Sequence, residues 1–208
     1  MNWKYKHFQP KEVLSPVGLG KLKYNSVLKI QDFALQTFDD FREFLGMPIL
    51  CNFADKKLRG YRSVKENMKI YDDLRKRNPK IKTLYDSAHV QGIAFDSHCT
   101  KIKTFEYAIV MTAWSIYRFQ NSQQGFSGIG IYAHKGFCHK DCRSLLDNYI
   151  FVWNAINKKS LTMRYDNPNL LKDPYKFYEN IKENLDFPKR WRMPNELTKN
   201  DNFMSLFN

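Results

Sequence analysis

The chain has 208 residues, 43% hydrophobic and 15% aromatic, enough to bury a core and too apolar throughout for a disordered or fibrous protein. No apolar run approaches the roughly 18 residues of a membrane span, and the opening Met1-Asn2-Trp3-Lys4-Tyr5-Lys6-His7 reaches Phe8 and Pro10 without an apolar segment, so neither a transmembrane helix nor a secretory signal is expected. Lysine and arginine number 34 against 21 acidic residues, a net charge of +13, which permits nucleic acid, anionic wall polymer or anionic lipid as partners.

The first 24 residues read as irregular, punctuated by Pro10, Ser15-Pro16 and Gly18-Leu19-Gly20, with Phe8, Val13 and Leu14 as anchors to the core. Asn25 or Ser26 can cap a helix in which Val27, Ile30, Ala34, Phe38, Phe41 and Leu45 form one buried stripe, ending at Gly46 ahead of Pro48. Ile49 to Phe53 reads as a short buried strand, and Ser63 to about Arg77 as a second helix that breaks before Pro79. Four cysteines, Cys51, Cys99, Cys138 and Cys142, form no CxxC pair and are expected as reduced, buried thiols.

Ile93 and Phe95 alternate with Ala94, Asp96 and His98, the period-2 pattern of a strand with two different faces. A third helix is expected over 104–120, with Tyr107, Val110, Met111, Trp114 and Tyr117 on one side. Gly125, Gly128 and Gly130 loosen the chain before 129–143, which alternates again. After Trp153 the chain turns Pro- and Asn-rich, aromatic and basic. There Asp173-Pro174 opens one amphipathic helix through Phe177, Ile181 and Leu185, and the last 20 residues read as an arm or docking segment. The expected fold class is α+β: a small antiparallel sheet with helices packed on one face over residues 1–155, then a basic, aromatic, partly helical extension over 156–208.

Two of the five histidines stand in suggestive contexts, His89 seven residues before Asp96, and His139 two before Asp141. Two imidazoles and one carboxylate make three ligands of tetrahedral zinc and leave a fourth position open, the arrangement of a catalytic site. A His and an Asp seven apart mean little alone. In order, however, Ser87-x-His89-x-x-Gly92-x-Ala94-x-Asp96, Gly128-x-Gly130-x-Tyr132 and Phe137-x-His139-x-Asp141-x-Arg143 resemble the zinc D-Ala-D-Ala carboxypeptidase family with its phage-lysin and murein-endopeptidase relatives. Upstream, Arg59-Gly60-Tyr61-Arg62-Ser63 resembles that family's Ser-Gly-Tyr-Arg-Ser, and Gly46-Met47-Pro48-Ile49 and Phe8-Gln9-Pro10 resemble its approach and opening. The resemblance covers about residues 7–153.

It implies a Hedgehog or D-Ala-D-Ala-peptidase-like fold, zinc as cofactor held by His89, Asp96 and His139, and hydrolysis of peptidoglycan stem peptides. By the same analogy Arg62, Tyr61 and Ser87 bind or orient the substrate. Many members carry Asp or Glu three residues before the last histidine as general base; that place is Gly136 here, so Asp141 or His134 is expected to move protons, with Asp141 alternatively orienting a ligand. Lys140 stands where the family usually has an apolar residue. The composition and the lack of a signal fit a phage or virus protein in the host cytoplasm, released on lysis or carried in a virion. The rival expectation is a nonenzymatic nucleic-acid- or wall-binding protein that uses Lys189-Arg190-Trp191-Arg192 and the basic 75–82 stretch, its metal site vestigial or structural.

Overall fold

The computed structural model of the chain describes residues 4–9, 30–51, 60–82, 86–143, 148–189 and 191–207. Helix α1 (Asp32–Leu45) buries Ala34, Phe38, Phe41 and Leu45 as the spacing predicts and ends at Gly46. It starts later than the stripe suggests, because Gln31 is extended and its N–H bonds Gly92 O at 2.9 Å. Phe8 is buried between Tyr5 and Phe38; Val13, Leu14, Asn25, Ser26 and Val27 lie outside the described residues. Strand β1 is Ile49–Leu50, and Asn52 and Phe53 of the expected strand lie outside the described residues. Helix α2 (Val64–Arg77) opens on a reciprocal capping box between Ser63 and Glu66, which fixes its first turn directly after Arg62.

Strand β2 (Ala94–Cys99) precedes α3 (Thr104–Gln120). Then follow β3 (Gly128–Tyr132), a 3-10 turn (Ala133–Lys135), β4 (Phe137–Asp141), β5 (Tyr149–Asn154) and β6 (Ser160–Arg164). The strands form one sheet in the order β1-β2-β4-β3-β5-β6. The expected antiparallel sheet needs correction at one pair: β3 and β5 are parallel. Strand β4 ends beside the start of β3, Asp141 opposite Gly128, and the chain then passes to the other edge of β3, where Phe151 faces the same Gly128. Starting at that end, β5 must run in the direction of β3.

Alternation along the strands gives the sheet two different faces. Phe95, Ile129, Ile131, Cys138, Lys140, Ile150 and Val152 point toward the helices and are buried. The other face carries Asp96, His139, Asp141, Gly128, Gly130, Tyr132 and the aromatic residues of β5. Helix α3 is not one-sided as expected. It is buried from Phe105 through Ile116, and only Tyr117 of its predicted stripe is exposed, because α1 meets Tyr107 and Trp114 through Phe41 while Tyr178 packs on Phe105. All four cysteines are buried, and none is in a disulfide. Among the described residues no helix is long and apolar enough to cross a membrane.

The extension after residue 155 holds more than the one expected helix. Strand β6 pairs with β5, and α4 (Pro174–Asn184), α5 (Asn195–Thr198) and α6 (Asp201–Ser205) follow. Its final residues are not a free arm: Leu197, Phe203 and Leu206 join the same hydrophobic cluster as α1 and α3, and Asn202 Nδ2 donates to Phe44 O at 2.6 Å. Helices of four and five residues are too short to show a 3.6-residue period, so the sequence pattern hides them. Removing residues 195–208 should therefore lower the melting temperature by about 5–10 °C, at about 2–4 °C per kcal/mol for a chain of this size. An unchanged transition in a thermal scan would refute the packing of this segment.

Candidate metal centre

Two strands and one turn bring the centre together. Asp96 on β2 lies directly opposite His139 on β4, so both side chains rise from the same sheet face. His89 arrives from a turn in which Ser87 O accepts the N–H groups of Val90 and Gln91. All three residues are buried, and one ligand atom from each lies within 4.8 Å of the others.

Their hydrogen bonds decide which atoms face inward. His89 Nδ1–H donates to Gly60 O at 2.8 Å, and His139 Nε2–H donates to Asp141 Oδ2 at 3.1 Å. With those protons committed outward, His89 Nε2, His139 Nδ1 and Asp96 Oδ1 form a triangle of acceptors, 3.1, 2.9 and 3.4 Å on a side. Three buried lone pairs at such distances require a positive charge among them. A proton can supply it. Burial pulls the pKa of His89 down, whereas His139, although burial acts against it, is raised by its bonds to Asp141 and Asp96. Asp96, against the opposing effect of burial, is held well below the usual carboxylate range by His89 and His139. A metal ion can take the place of that proton, as binding to imidazole and carboxylate requires. The donor set fits a divalent ion of the zinc type, and both imidazoles already have the outward partner that fixes a ligand's tautomer.

Around the triangle, Arg62 Nη2 donates to Asp96 Oδ2 at 3.2 Å, while its Nε is buried with no partner among the described residues. Asp141 faces the outward nitrogen of His139 and also takes Arg143 Nη2 at 2.9 Å, so its carboxylate supports the ligand from behind. Ser87 Oγ donates to Asn67 Oδ1 of α2 at 3.3 Å, tying the His89 turn to that helix. Tyr61 is half-buried against the core. His134 is exposed in the 3-10 turn, its ring 6.3 Å from that of Tyr132. Gly136 occupies the left-handed position of that bend, with φ of 69° and open space where a Cβ would stand.

The Gly128-Ile129-Gly130 run has a role that alternation alone does not reveal. A Cβ on Gly128 would lie 2.6 Å from Asp141 Oδ2, and one on Gly130 would lie 2.3 Å from the Trp153 indole. Each glycine leaves a notch on the site face, one filled by the carboxylate behind His139 and the other by a ring whose centroid is 5.5 Å from that of His139. Trp153 and Tyr132 are thus members of the site that sequence reasoning left unassigned, although glycines two apart in a strand point to close approach on one face. Burial, the largest influence on Tyr132, raises its phenol pKa and keeps the proton on. Gly130→Ala should cost about 1–3 kcal/mol through overpacking and red-shift tryptophan emission as the indole is lifted. An unchanged spectrum and melting curve would contradict this seating.

A surface cavity of about 540 Å³ is lined by Gln31, Phe33, Gln91, Ile93, Gln124, Cys142 and Arg143 and includes none of the three candidate ligands. In the basic 189–192 stretch the Trp191 ring is packed rather than free to stack, 5.8 Å from Phe105 and 5.5 Å from Phe187. In the 75–82 stretch Arg75 and Lys76 pair with Asp72 and Asp73, while Arg190 lies outside the described residues. Comparisons with protein-family models, curated proteins and solved structures give no match to this chain.

Proposed function

We propose that the chain is a zinc-dependent peptidase that hydrolyses peptidoglycan stem peptides as a carboxypeptidase or endopeptidase. The observation that carries this reading is the buried triangle of acceptor atoms from His89, Asp96 and His139, with Gly60 O and Asp141 holding the outward nitrogens. Zinc held by those three residues supplies Lewis acidity toward a carbonyl group and toward water. Arg62 fixes Asp96 through Nη2 and offers Nε, a buried donor, to a carbonyl or carboxylate of the peptide. Tyr132, kept protonated by burial, donates to negative charge that develops on the scissile carbonyl oxygen. Asp141 keeps the imidazole of His139 oriented, which leaves proton exchange with solvent to the exposed His134. The setting we propose is a phage or virus protein, acting on the wall after lysis or from a particle.

Two measurements together test the proposal: zinc content by elemental analysis, and digestion of purified muropeptides read by mass spectrometry. About one zinc per chain with release of a D-alanine or a cut stem peptide is the expected result. Zinc with no cleavage of any stem peptide would overturn the enzymatic reading and favour a metal site that only stabilises a binding protein.

A further inference from the structure

Outward-facing positions of a strand that meets water are normally polar. Strand β5 places Tyr149, Phe151 and Trp153 there in succession, on the same face as His139 and Asp96. Tyr149 is 41% and Phe151 43% exposed, and residues two apart along a strand stand about 6.6 Å apart. The Phe151 and Trp153 rings lie 5.6 Å apart and within 26° of parallel, and Trp153 reaches across Gly130 to His139. An aromatic strip therefore begins at the candidate metal centre and runs out along the open sheet.

The neighbours of the strip indicate what it takes. Opposite Trp153 and Phe151 on β6 stand Ser160 and Thr162, exposed neutral hydroxyls. Arg164, opposite Tyr149, lies over that ring and is held by Asp166 through two contacts of 2.6 and 3.1 Å. Stacked nucleic-acid bases need free cations beside the rings for their phosphates, and here the arginine that faces the strip is already neutralised. A saccharide presents the complementary surface: C–H bonds directed at the electron-rich ring faces, and hydroxyl groups for Ser160 and Thr162.

We propose that Tyr149, Phe151 and Trp153 form a saccharide-binding surface that takes the sugar rings of the glycan strand while its stem peptide enters the metal centre. This rests on the peptidase reading for the identity of the strand. The strip would align a wall polymer rather than a free peptide and would set a preference for intact wall over released muropeptides.

The test is titration of the full-length protein with the N-acetylglucosamine tetramer, followed by amide NMR shifts and tryptophan fluorescence. Saturable binding is expected, weakened tenfold or more by Tyr149→Ala or by Phe151→Ala and retained by Phe151→Tyr. Both alanine variants alter exposed side chains, and an unchanged melting temperature confirms that they fold. Absence of saturable binding, or binding indifferent to both alanine substitutions, would overturn the proposal. So would a dT oligonucleotide that binds in place of the sugar and is lost in Phe151→Ala. Sugar binding involves no hydrolysis, so the two readings fail separately: a protein that binds the tetramer and cuts no peptide loses only the peptidase assignment, and one that cuts peptides without binding the tetramer loses only this surface.

Discussion

His89→Ala is expected to abolish tight zinc binding and, with it, any cleavage of stem peptides. The substitution removes one corner of the acceptor triangle, and the residue is the sole ligand supplied by the 86–93 turn, so no neighbouring side chain of that turn replaces it. Asp141→Asn should behave differently, because the carboxylate meets His139 at its outward nitrogen and otherwise pairs with Arg143. It should weaken zinc by roughly 10–100-fold, the scale seen when a ligand's supporting partner is lost, and turnover should recover when zinc is raised to saturation. If Asp141 instead takes the proton from the attacking water, turnover stays about 100-fold down in saturating zinc. Equilibrium dialysis against zinc, with activity measured at several zinc concentrations, separates these outcomes. Full zinc occupancy in His89→Ala would sink the ligand assignment.

The parts of this site that were legible in the sequence are those in which chemistry and strand alternation agree. Asp96 alternates with Phe95, and His139 with Cys138 and Lys140, so a period of two already divides ligands from core. Register supplies the rest. Nothing local states that residue 96 pairs with residue 139, or that Gly128 and Gly130 face Asp141 and Trp153. The support given by Gly60 O to His89 spans 29 residues and comes from a backbone atom, which leaves no mark on residue choice. Helix α2 was legible because Ser63 and Glu66 form a local cap, whereas α5 and α6 depend on tertiary burial of Leu197 and Phe203. The parallel β3–β5 pair follows from where the chain crosses the sheet, a global property to which the alternating pattern of each strand is indifferent.

Lys140 tests the same logic from the core side, and Lys140→Met should make the protein more stable. The lysine stands on β4 beside His139 but points away from it, fully buried beneath the sheet. Its Nζ meets Ser97 Oγ and lies 3.4 Å from Tyr107 OH and 4.4 Å from the centre of the Phe38 ring. No carboxylate is in salt-bridge contact with it among the described residues, and the charged or titratable groups that act on it are Cys51, Cys138, Asp96 and Arg42. Burial brings the pKa of the amine down from 10.5 to about 8. Because the folded value lies below the unfolded one, the penalty is complete below pH 8, shrinks between pH 8 and 10.5, and is gone above that. At neutral pH this amounts to about 3 kcal/mol, at about 1.4 kcal/mol per pH unit. Methionine keeps the length of the side chain without the charge, and Ser97 Oγ and Tyr107 OH retain each other at 2.8 Å. The melting temperature of Lys140→Met should exceed that of the parent by about 6–12 °C at pH 7, and the difference should narrow as both proteins are taken from pH 8 to 10. Burial holds the thiols of Cys138 and Cys142 protonated throughout this range, so their coupling to the lysine does not titrate with it. A gap of the same size at pH 7 and pH 10 would show that packing, not the buried charge, separates the two proteins; a less stable variant would show that the amine's contacts with Ser97, Tyr107 and Phe38 outweigh its desolvation.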